Sequence, residues 1–379
     1  MKTILPGAII GVMGGGQLGR MFAMAARSMG YRVHIFTPEH NSPASQFADY
    51  TTEADFHDEK ALRNFCRAVD LLTFEFENIP RETLQWCAQE CTMRPAGQVI
   101  ETAQHRLREK TFLSQNGFPV VPFCAIRSLA ELVSAVERIG RESILKTAAW
   151  GYDGKGQQSI ASRDLSEVWQ TRSADELILE RAIDFETEIS VIIARDPLGN
   201  IRAFPVAENV HRNHILDVTL APAVVPGNVA REAVEIASAI AEKLQVIGLL
   251  AVEMFLDKNG KILVNELAPR PHNSGHWTIE GCATSQFEQQ LRAICGLPLG
   301  SVELLRPSAM ANLLGDLWSE GAPHWDAALS LPNVHLHLYG KHEPRRRRKM
   351  GHLTATADSA DKAATVVREA RDKLCARKS

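Results

Sequence analysis

The sequence predicts a mixed α/β and α+β chain: a parallel sheet with crossover helices, then an antiparallel region, then a small C-terminal domain. Three observations lead there. Residues 1 to about 103 alternate short β-branched runs with helical stretches, the pattern of a Rossmann-like parallel sheet. Beyond residue 177 strands succeed one another through turn residues rather than helices. The 379 residues are also too many for one ordinary core.

The elements follow in order. Ala8 to Val12 reads as a strand, Gln17 to Met29 as a helix stopped near Gly30, and Tyr31 to Phe36 as the next strand. A helix at about 59–68 leads to a third strand, Asp70 to Phe74. A helix from Ala103 to Gln115 ends at Asn116-Gly117, a C-cap signal. Next come a helix near 128–139, a strand from Ser143 to Thr147, and a glycine-rich loop. Leu177 to Glu180 and Glu188 to Ala194 are strands, and the Asp196 to Asn200 turn opens a further one. A helix at about 229–245 carries Ala233, Ile236, Ala237, Ile240 and Leu244 on one stripe. A hairpin spans 249–266, and the tail ends in a helix near 358–375. The predicted domains are 1–103, 104–300 with a lid subdomain at about 118–183, and 301–379.

Composition narrows the function. Apolar content of 45% and charge of 23% are those of a soluble globular protein. A formal net charge of -3 argues against nucleic acid as the main partner. No apolar run spans a bilayer, and the N-terminus lacks the pattern of a signal peptide. Seven cysteines show no metal-like pairing: Cys87 and Cys91 stand four apart, but no second pair completes a zinc site, so reduced thiols are expected.

Gly14-x-Gly16-x-x-Gly19 joins a strand to a helix, where backbone N–H groups can approach a phosphate. Taken alone it suggests a nicotinamide dehydrogenase, or a turn that only packs helix on strand. The acidic residue that should close the second strand is missing, since Phe36 is followed by Thr37-Pro38 and Glu39 comes later. Some phosphorylated small molecule is the better expectation. A second loop, Gly151-Tyr152-Asp153-Gly154-Lys155-Gly156-Gln157, follows Lys146 and can fold its amides over phosphate oxygens. It is not a Walker loop, because no Gly-Lys-Ser/Thr opens a helix.

Asn259-Gly260 between β-forming runs is a strong hairpin signal. With those two as the loop, Lys258 pairs with Lys261, Leu256 with Leu263, Phe255 with Val264, and Glu253 with Glu266. The two carboxylates then stand about 5 Å apart at Cβ. Their repulsion, roughly 3 kcal/mol at an effective dielectric of 20, is relieved most simply by a divalent cation on hard oxygen ligands. Asn265 is a further oxygen donor.

Lys146, the 151–157 loop, Glu253 and Asn265-Glu266 resemble the ATP-grasp ligases. More closely, three segments resemble the 5-(carboxyamino)imidazole ribonucleotide synthases of purine biosynthesis: Gly14 to Met21, Thr73 to Asn78, and Asn265 to Thr278. Lys349 to Leu353 is similar to that family's phosphate loop. The resemblance covers nearly the whole chain and implies an ATP-grasp fold. It also implies a reaction: ATP, bicarbonate and aminoimidazole ribonucleotide give the carbamate, ADP and phosphate. By resemblance, ATP is bound by Arg106, Lys146, Gly151, Tyr152, Asp153, Gly154, Lys155, Gly156, Gln157, Glu180, Arg181, Ala182, Ile183, Glu188, His211, Asn265 and Glu266. Magnesium, or manganese, is held by Glu253 and Glu266. Arg270, His272 and Asn273, with Tyr152 and Lys155, meet bicarbonate or its carboxyphosphate. Gly15, Gln17, Leu18 and Glu75 hold the ribonucleotide, with Lys341, Arg348 and Lys349 on its phosphate. The family is typically dimeric, and a cytoplasmic homodimer is expected by resemblance alone. One departure stands out: the family's phosphate loop usually reads Arg-Pro-Gly-Arg-Lys, and here it reads Arg345-Arg346-Arg347-Arg348-Lys349.

The implied chemistry asks for positioning and charge neutralisation around the transferred phosphoryl group. The fork of Arg270 suits planar bicarbonate, His272 can hold a proton in transit, and the glycine loop should close over carboxyphosphate. A formate-dependent transformylase or a carboxylase subunit is the nearest rival. The dehydrogenase leaves the second loop and the carboxylate pair unexplained.

Overall fold

The computed structural model describes residues 3–149, 156–172, 174 and 176–375. Its first unit is a parallel sheet flanked by helices. The elements are β1 (Ile9–Met13), α1 (Gln17–Ser28), β2 (Arg32–Thr37), β3 (Tyr50–Glu53), α2 (Glu59–Arg67), β4 (Leu71–Phe74), α3 (Arg81–Glu90) and α4 (Gly97–Ala103). The strands pair in parallel in the order β3-β2-β1-β4. Strand β3 goes beyond the expected set. Its Tyr-Thr-Thr-Glu sequence forms an exposed edge with no apolar alternation to betray it.

The predicted helix from Ala103 to Gln115 is α5 (Arg106–Gln115), which starts later than expected, after α4 has ended at Ala103. His105 is pulled out of helical geometry to bridge Ala149, and the Arg106 amide donates to Ala148 O at 2.8 Å. Tertiary pairing therefore overrides local propensity there.

Next come β5 (Phe123–Ile126), α6 (Leu129–Ile139), β6 (Ser143–Thr147), β7 (Gln157–Ser159), α7 (Leu165–Gln170) and β8 (Leu177–Arg181). Their four strands form an antiparallel sheet in the order β5-β8-β6-β7. Ser128 caps α6 by accepting from the Glu131 amide.

The largest sheet is antiparallel. It takes β9 (Phe185–Arg195), β10 (Ile201–Ala203), β11 (Ala207–Arg212) and β12 (Ile215–Ala221), then α8 (Gly227–Lys243), β13 (Gly248–Asp257) and β14 (Ile262–Ala268). After α9 (Thr278–Gly281) and α10 (Gln286–Cys295) come β15 (Ser308–Leu314), α11 (Trp325–Leu329), β16 (Val334–Leu338), β17 (Lys349–Thr356) and α12 (Ala360–Lys373). The order is β14-β13-β9-β11-β12-β15-β17-β16, with β10 on β9. The C-terminal strands thus extend the same sheet that carries the hairpin.

The stripe on α8 (Ala233, Ala237, Ile240) packs on β9 and β13 in one core. Helix α10 sends Phe287, Leu291 and Ile294 into the core of the first unit. Among the described residues no helix is long and apolar enough to cross a membrane.

Candidate active site

The hairpin of β13 and β14 sets the site. Its loop is one residue longer than the Asn-Gly turn expected. Asp257 Oδ1 accepts from the amides of Asn259 and Lys261, each at 2.8 Å. The Gly260 amide donates to Asp257 O at 3.0 Å, and Gly260 turns left-handed at φ 79°. The ladder is accordingly shifted: Leu256 faces Ile262, Phe255 faces Leu263, and Met254 faces Val264. The expected pairs Lys258–Lys261, Leu256–Leu263 and Phe255–Val264 do not form, because the Asp257 carboxylate selects a three-residue loop. A bulge at Asn265 then absorbs the shift, and Glu253 stands opposite Glu266 as expected.

Two buried residues that the sequence reading missed grip that bulge. Lys110 Nζ donates to Val264 O at 3.1 Å and Asn265 O at 2.6 Å. Glu109 accepts from the Leu267 amide at 2.6 Å. The available signal was negative: Arg106 to Gln115 shows no clean apolar stripe, so its buried face had to hold charge.

Adjacent strands β14, β13, β9 and β11 present Glu266, Glu253, Glu188 and His211 in turn. Burial raises the Glu253 carboxyl to about 7, and the charges of Glu266 and Glu188 add to that. Burial likewise raises Glu109 to about 8, against the pull of Lys110. His211 lies 2.5 Å from Glu188. Burial opposes charging of that imidazole, but Glu188 and Glu253 outweigh it and raise its pKa.

On the facing sheet, Lys146 Nζ bonds Glu180 Oε2 at 2.7 Å, and Arg106 donates to Thr147 O at 2.9 Å. Burial would raise Glu180, yet Lys110 and Lys146 hold it below the usual carboxylate range. Arg181, Ala182 and Ile183 carry the chain from β8 toward β9, with the Ala182 amide on Glu142 O. Gly156 sits at φ 71° with its carbonyl on the Thr147 amide. Gln157 reaches His214 at 3.2 Å. Gly151, Tyr152, Asp153, Gly154 and Lys155 lie outside the described residues.

Past β14, Arg270 departs from expectation. Its Nε and Nη2 are both taken by Glu77, Nη2 at 2.9 Å from Oε1, and Nη1 donates to Pro271 O. The fork expected to be free for bicarbonate is clamped, because a buried guanidinium requires a carboxylate. His272 Nδ1 lies 2.9 Å from Ser274 Oγ, and Nε2 is 3.6 Å from Glu253. Burial, then the Arg270 charge, hold His272 well below its ordinary pKa, so the ring is neutral at neutral pH. Asn273 is buried, and both polar atoms of its amide lack a partner among the described residues. A buried amide with neither half satisfied is a ligand-binding signal.

The first glycine loop also departs from expectation. Its amides do not await a phosphate: Gly16 N–H donates to Glu75 Oε1 at 2.8 Å and Gly19 N–H to Oε2 at 3.1 Å. The positive end of α1 is occupied by the protein's own carboxylate, which would repel a dinucleotide pyrophosphate. A Cβ at Gly15 would meet Ser42 Oγ at 2.4 Å. Gln17 beside it accepts from Lys341 Nζ at 2.6 Å, and Lys341 also donates to Lys349 O at 2.7 Å. Leu18 and Glu75 lie beside Pro271. Arg348 donates to Glu343 O at 3.1 Å, and its amide closes a turn on Arg345 O at 3.0 Å. In that turn Arg347 takes the left-handed conformation, φ 66°, where the family pattern has glycine. Asp316 accepts from the Arg347 amide at 2.7 Å and pairs with Arg346 at 3.5 Å, so the turn keeps its shape without glycine.

Comparison with known proteins agrees with this layout. Three family models match: a ribonucleotide synthetase preATP-grasp domain over residues 7–104, an ATP-grasp domain over 111–287, and a phosphoribosylaminoimidazole carboxylase C-terminal domain over 308–365. An N5-carboxyaminoimidazole ribonucleotide synthase of Bacillus subtilis is 43% identical over 93% of this chain and 92% of its own. A bifunctional purine synthesis protein of Dictyostelium discoideum is 44% identical over 92% of this chain, which spans only 37% of that protein. A solved ADP complex of an N5-carboxyaminoimidazole ribonucleotide synthetase is 41% identical, with a TM-score of 0.92 and 99% of both chains covered. An Aspergillus clavatus enzyme, solved with ADP and 5-aminoimidazole ribonucleotide, is 32% identical, with a TM-score of 0.88 over 97% of this chain and 98% of that one.

Proposed function

We propose, from the premise that this chain belongs to the N5-carboxyaminoimidazole ribonucleotide synthases of the ATP-grasp ligases, that it carboxylates the amino group of 5-aminoimidazole ribonucleotide. ATP and bicarbonate are consumed, and ADP and phosphate are released. The observation that carries the reading is one juxtaposition. The Glu253–Glu266 pair lies beside His272 and the unsatisfied amide of Asn273, at the seam where Glu77 and Glu75 of the first unit reach Arg270 and α1.

ATP would lie between the two antiparallel sheets, with Lys146, Arg106 and Lys110 supplying positive charge. The carboxylate pair fits a divalent cation, since burial, the opposed Glu266 and the nearby Glu188 all disfavour a bare charge on Glu253. Among the described residues no group of three His, Cys, Asp or Glu side chains is placed to hold a metal. Glu253 and Glu266, with Asn265 close by, would hold magnesium or manganese there. When bound it neutralises charge on the transferred phosphoryl group.

The protein's own groups do the rest. Asn273 offers a donor and an acceptor to bicarbonate or carboxyphosphate. Arg270, fixed by Glu77, can turn only the outer edge of its fork toward them. Neutral His272 accepts the Ser274 amide N–H at Nδ1, 3.3 Å away, so its own proton sits on Nε2, from which it can be donated. The ribonucleotide would sit over Gly15, Gln17, Leu18 and Glu75, with its phosphate on Lys341, Arg348 and Lys349. A cytoplasmic homodimer completes the reading, and light scattering of the purified protein tests the oligomer.

The deciding experiment is phosphate release from ATP and magnesium, with each co-substrate omitted in turn. Release that requires both aminoimidazole ribonucleotide and bicarbonate is the expected result. Release with formate in place of bicarbonate would assign a transformylase instead.

A further inference from the structure

A cavity of about 700 Å³ opens between the β11–β12 turn, the end of β15 and α12. It lies on the reverse face of the large sheet from the carboxylate pair. His211 turns to Glu188, while its neighbours Val210 and Arg212 face the side where α12 packs.

The floor of the cavity is an ion pair shielded from solvent. The ladder between β11 and β12 passes from Val218 to Leu216 and skips Asp217. That bulge turns the Asp217 carboxylate to Arg371 of α12, with Nη1 2.5 Å from Oδ1. Arg212 Nε meets Oδ2 of the same group at 3.1 Å. The opposite wall is the basic run. Arg347 Nη2 donates to Asn213 O at 2.7 Å and ties that run to the turn. Arg346 is exposed and reaches Asp316 only at 3.5 Å. The family pattern usually carries proline and glycine at these two positions, so the arginine wall is a departure of this chain. Four guanidinium groups and two carboxylates line the cavity, a formal excess of two positive charges. Ile215, Leu314 and Leu317 give it an apolar side.

We propose that this cavity binds a phosphate monoester of nucleotide size. A phosphate dianion balances the excess charge. Arg371 is committed to Asp217 and holds the floor in place. Arg212 and Arg346 are the exposed forks, and their terminal nitrogens suit phosphate oxygens. The organic part of the ligand rests on Ile215, Leu314 and Leu317, with Asp316 to accept from its hydroxyls. The volume lies in the range of small-molecule sites. A polynucleotide fits less well, because the cations line a concavity rather than a stripe and the chain carries a net charge of -3. Lys341, Arg348 and Lys349, assigned above to the ribonucleotide phosphate, do not line this cavity.

The test titrates AMP by calorimetry, in low salt, into the full chain already saturated with ADP and magnesium. The expected result is one further equivalent of AMP bound. Arg346→Glu and Arg212→Glu should each weaken it by about tenfold or more, while Lys341→Ala leaves it unchanged. Both arginines are exposed, and retained ADP binding shows that the variants fold. No heat at millimolar AMP, or binding unchanged in either arginine variant, would overturn the proposal. So would binding lost in Lys341→Ala but kept in Arg346→Glu, which would place the AMP in the ribonucleotide site. Inorganic phosphate bound as tightly as AMP would leave an ion site only and would overturn it equally.

Discussion

Lys341 is a cation stored where a cation is uncomfortable. Burial lowers its pKa from the usual lysine value to about 8, and Arg348 pushes the same way against the pull of Glu75. The sign for binding follows directly. Below pH 8 the ammonium is charged and can meet a phosphate dianion; as pH rises through 8 the free protein loses that charge. The KM for the ribonucleotide should therefore climb between pH 7 and 9, approaching about tenfold per unit once the lysine is neutral, while the KM for ATP stays level. Lys341→Arg keeps its charge throughout that range and should flatten the profile. A rise of equal slope in that variant would remove Lys341 from the phosphate site. The sequence pointed to this residue only through family resemblance. Nothing local marks Lys341, because its burial comes from Gln17, more than three hundred positions away.

The element scale shows why the carboxylate pair was legible although the path to it was not. Counting outward from Asn259-Gly260 gave the right partner for Glu253 through two departures that cancel. Asp257 lengthened the loop by one, and the bulge at Asn265 took the same residue back. Hydrophobic alternation constrained neither event. The bulge is fixed by Lys110 from another helix, a contact no short-range pattern encodes. The strands with buried β-branched runs and the helices with Ser caps were readable because their signals are local; β3 was not, since an edge strand can be polar throughout. Lys110→Met, which keeps length and apolar stem, leaves two carbonyls of the bulge without their donor. The expected cost is about 1–3 kcal/mol in chemical denaturation, together with a weakened magnesium dependence of ATP hydrolysis. Wild-type behaviour in both measurements would mean that the bulge holds itself.

At the scale of the whole molecule, two glutamines and an arginine join what the sequence separates. Gln290 on α10 accepts from the Leu249 amide of β13 at 2.6 Å and donates to Thr73 Oγ1 of β4 at 3.0 Å. One buried amide therefore bonds both the large sheet and the parallel sheet. Arg94 reaches the carbonyl of Ile294 on the same helix, and Gln286 holds the His272 backbone with Oε1 on its amide and Nε2 on its carbonyl. Helix α10 thus ties the first unit to the segment bearing His272 and Asn273, and the distance from Glu75 and Glu77 to the carboxylate pair is set by its packing. Gln290→Leu fits the volume but leaves a buried backbone N–H and a buried hydroxyl unpaired. A loss of about 2–6 kcal/mol is expected, summing two penalties of about 1–3 kcal/mol. The fall should appear as one cooperative transition at lower denaturant, because α10 belongs to the core of the first unit and also packs on β13 and β9 of the large sheet. Two separated transitions in the wild-type protein would show instead that the units unfold independently and that α10 belongs to only one of them. Gln290→Glu is the second arm. It keeps an acceptor for Leu249 but places a carboxyl in the apolar seam, and its cost should grow as pH rises and that carboxyl ionises. A pH-independent cost would mean that water reaches the seam.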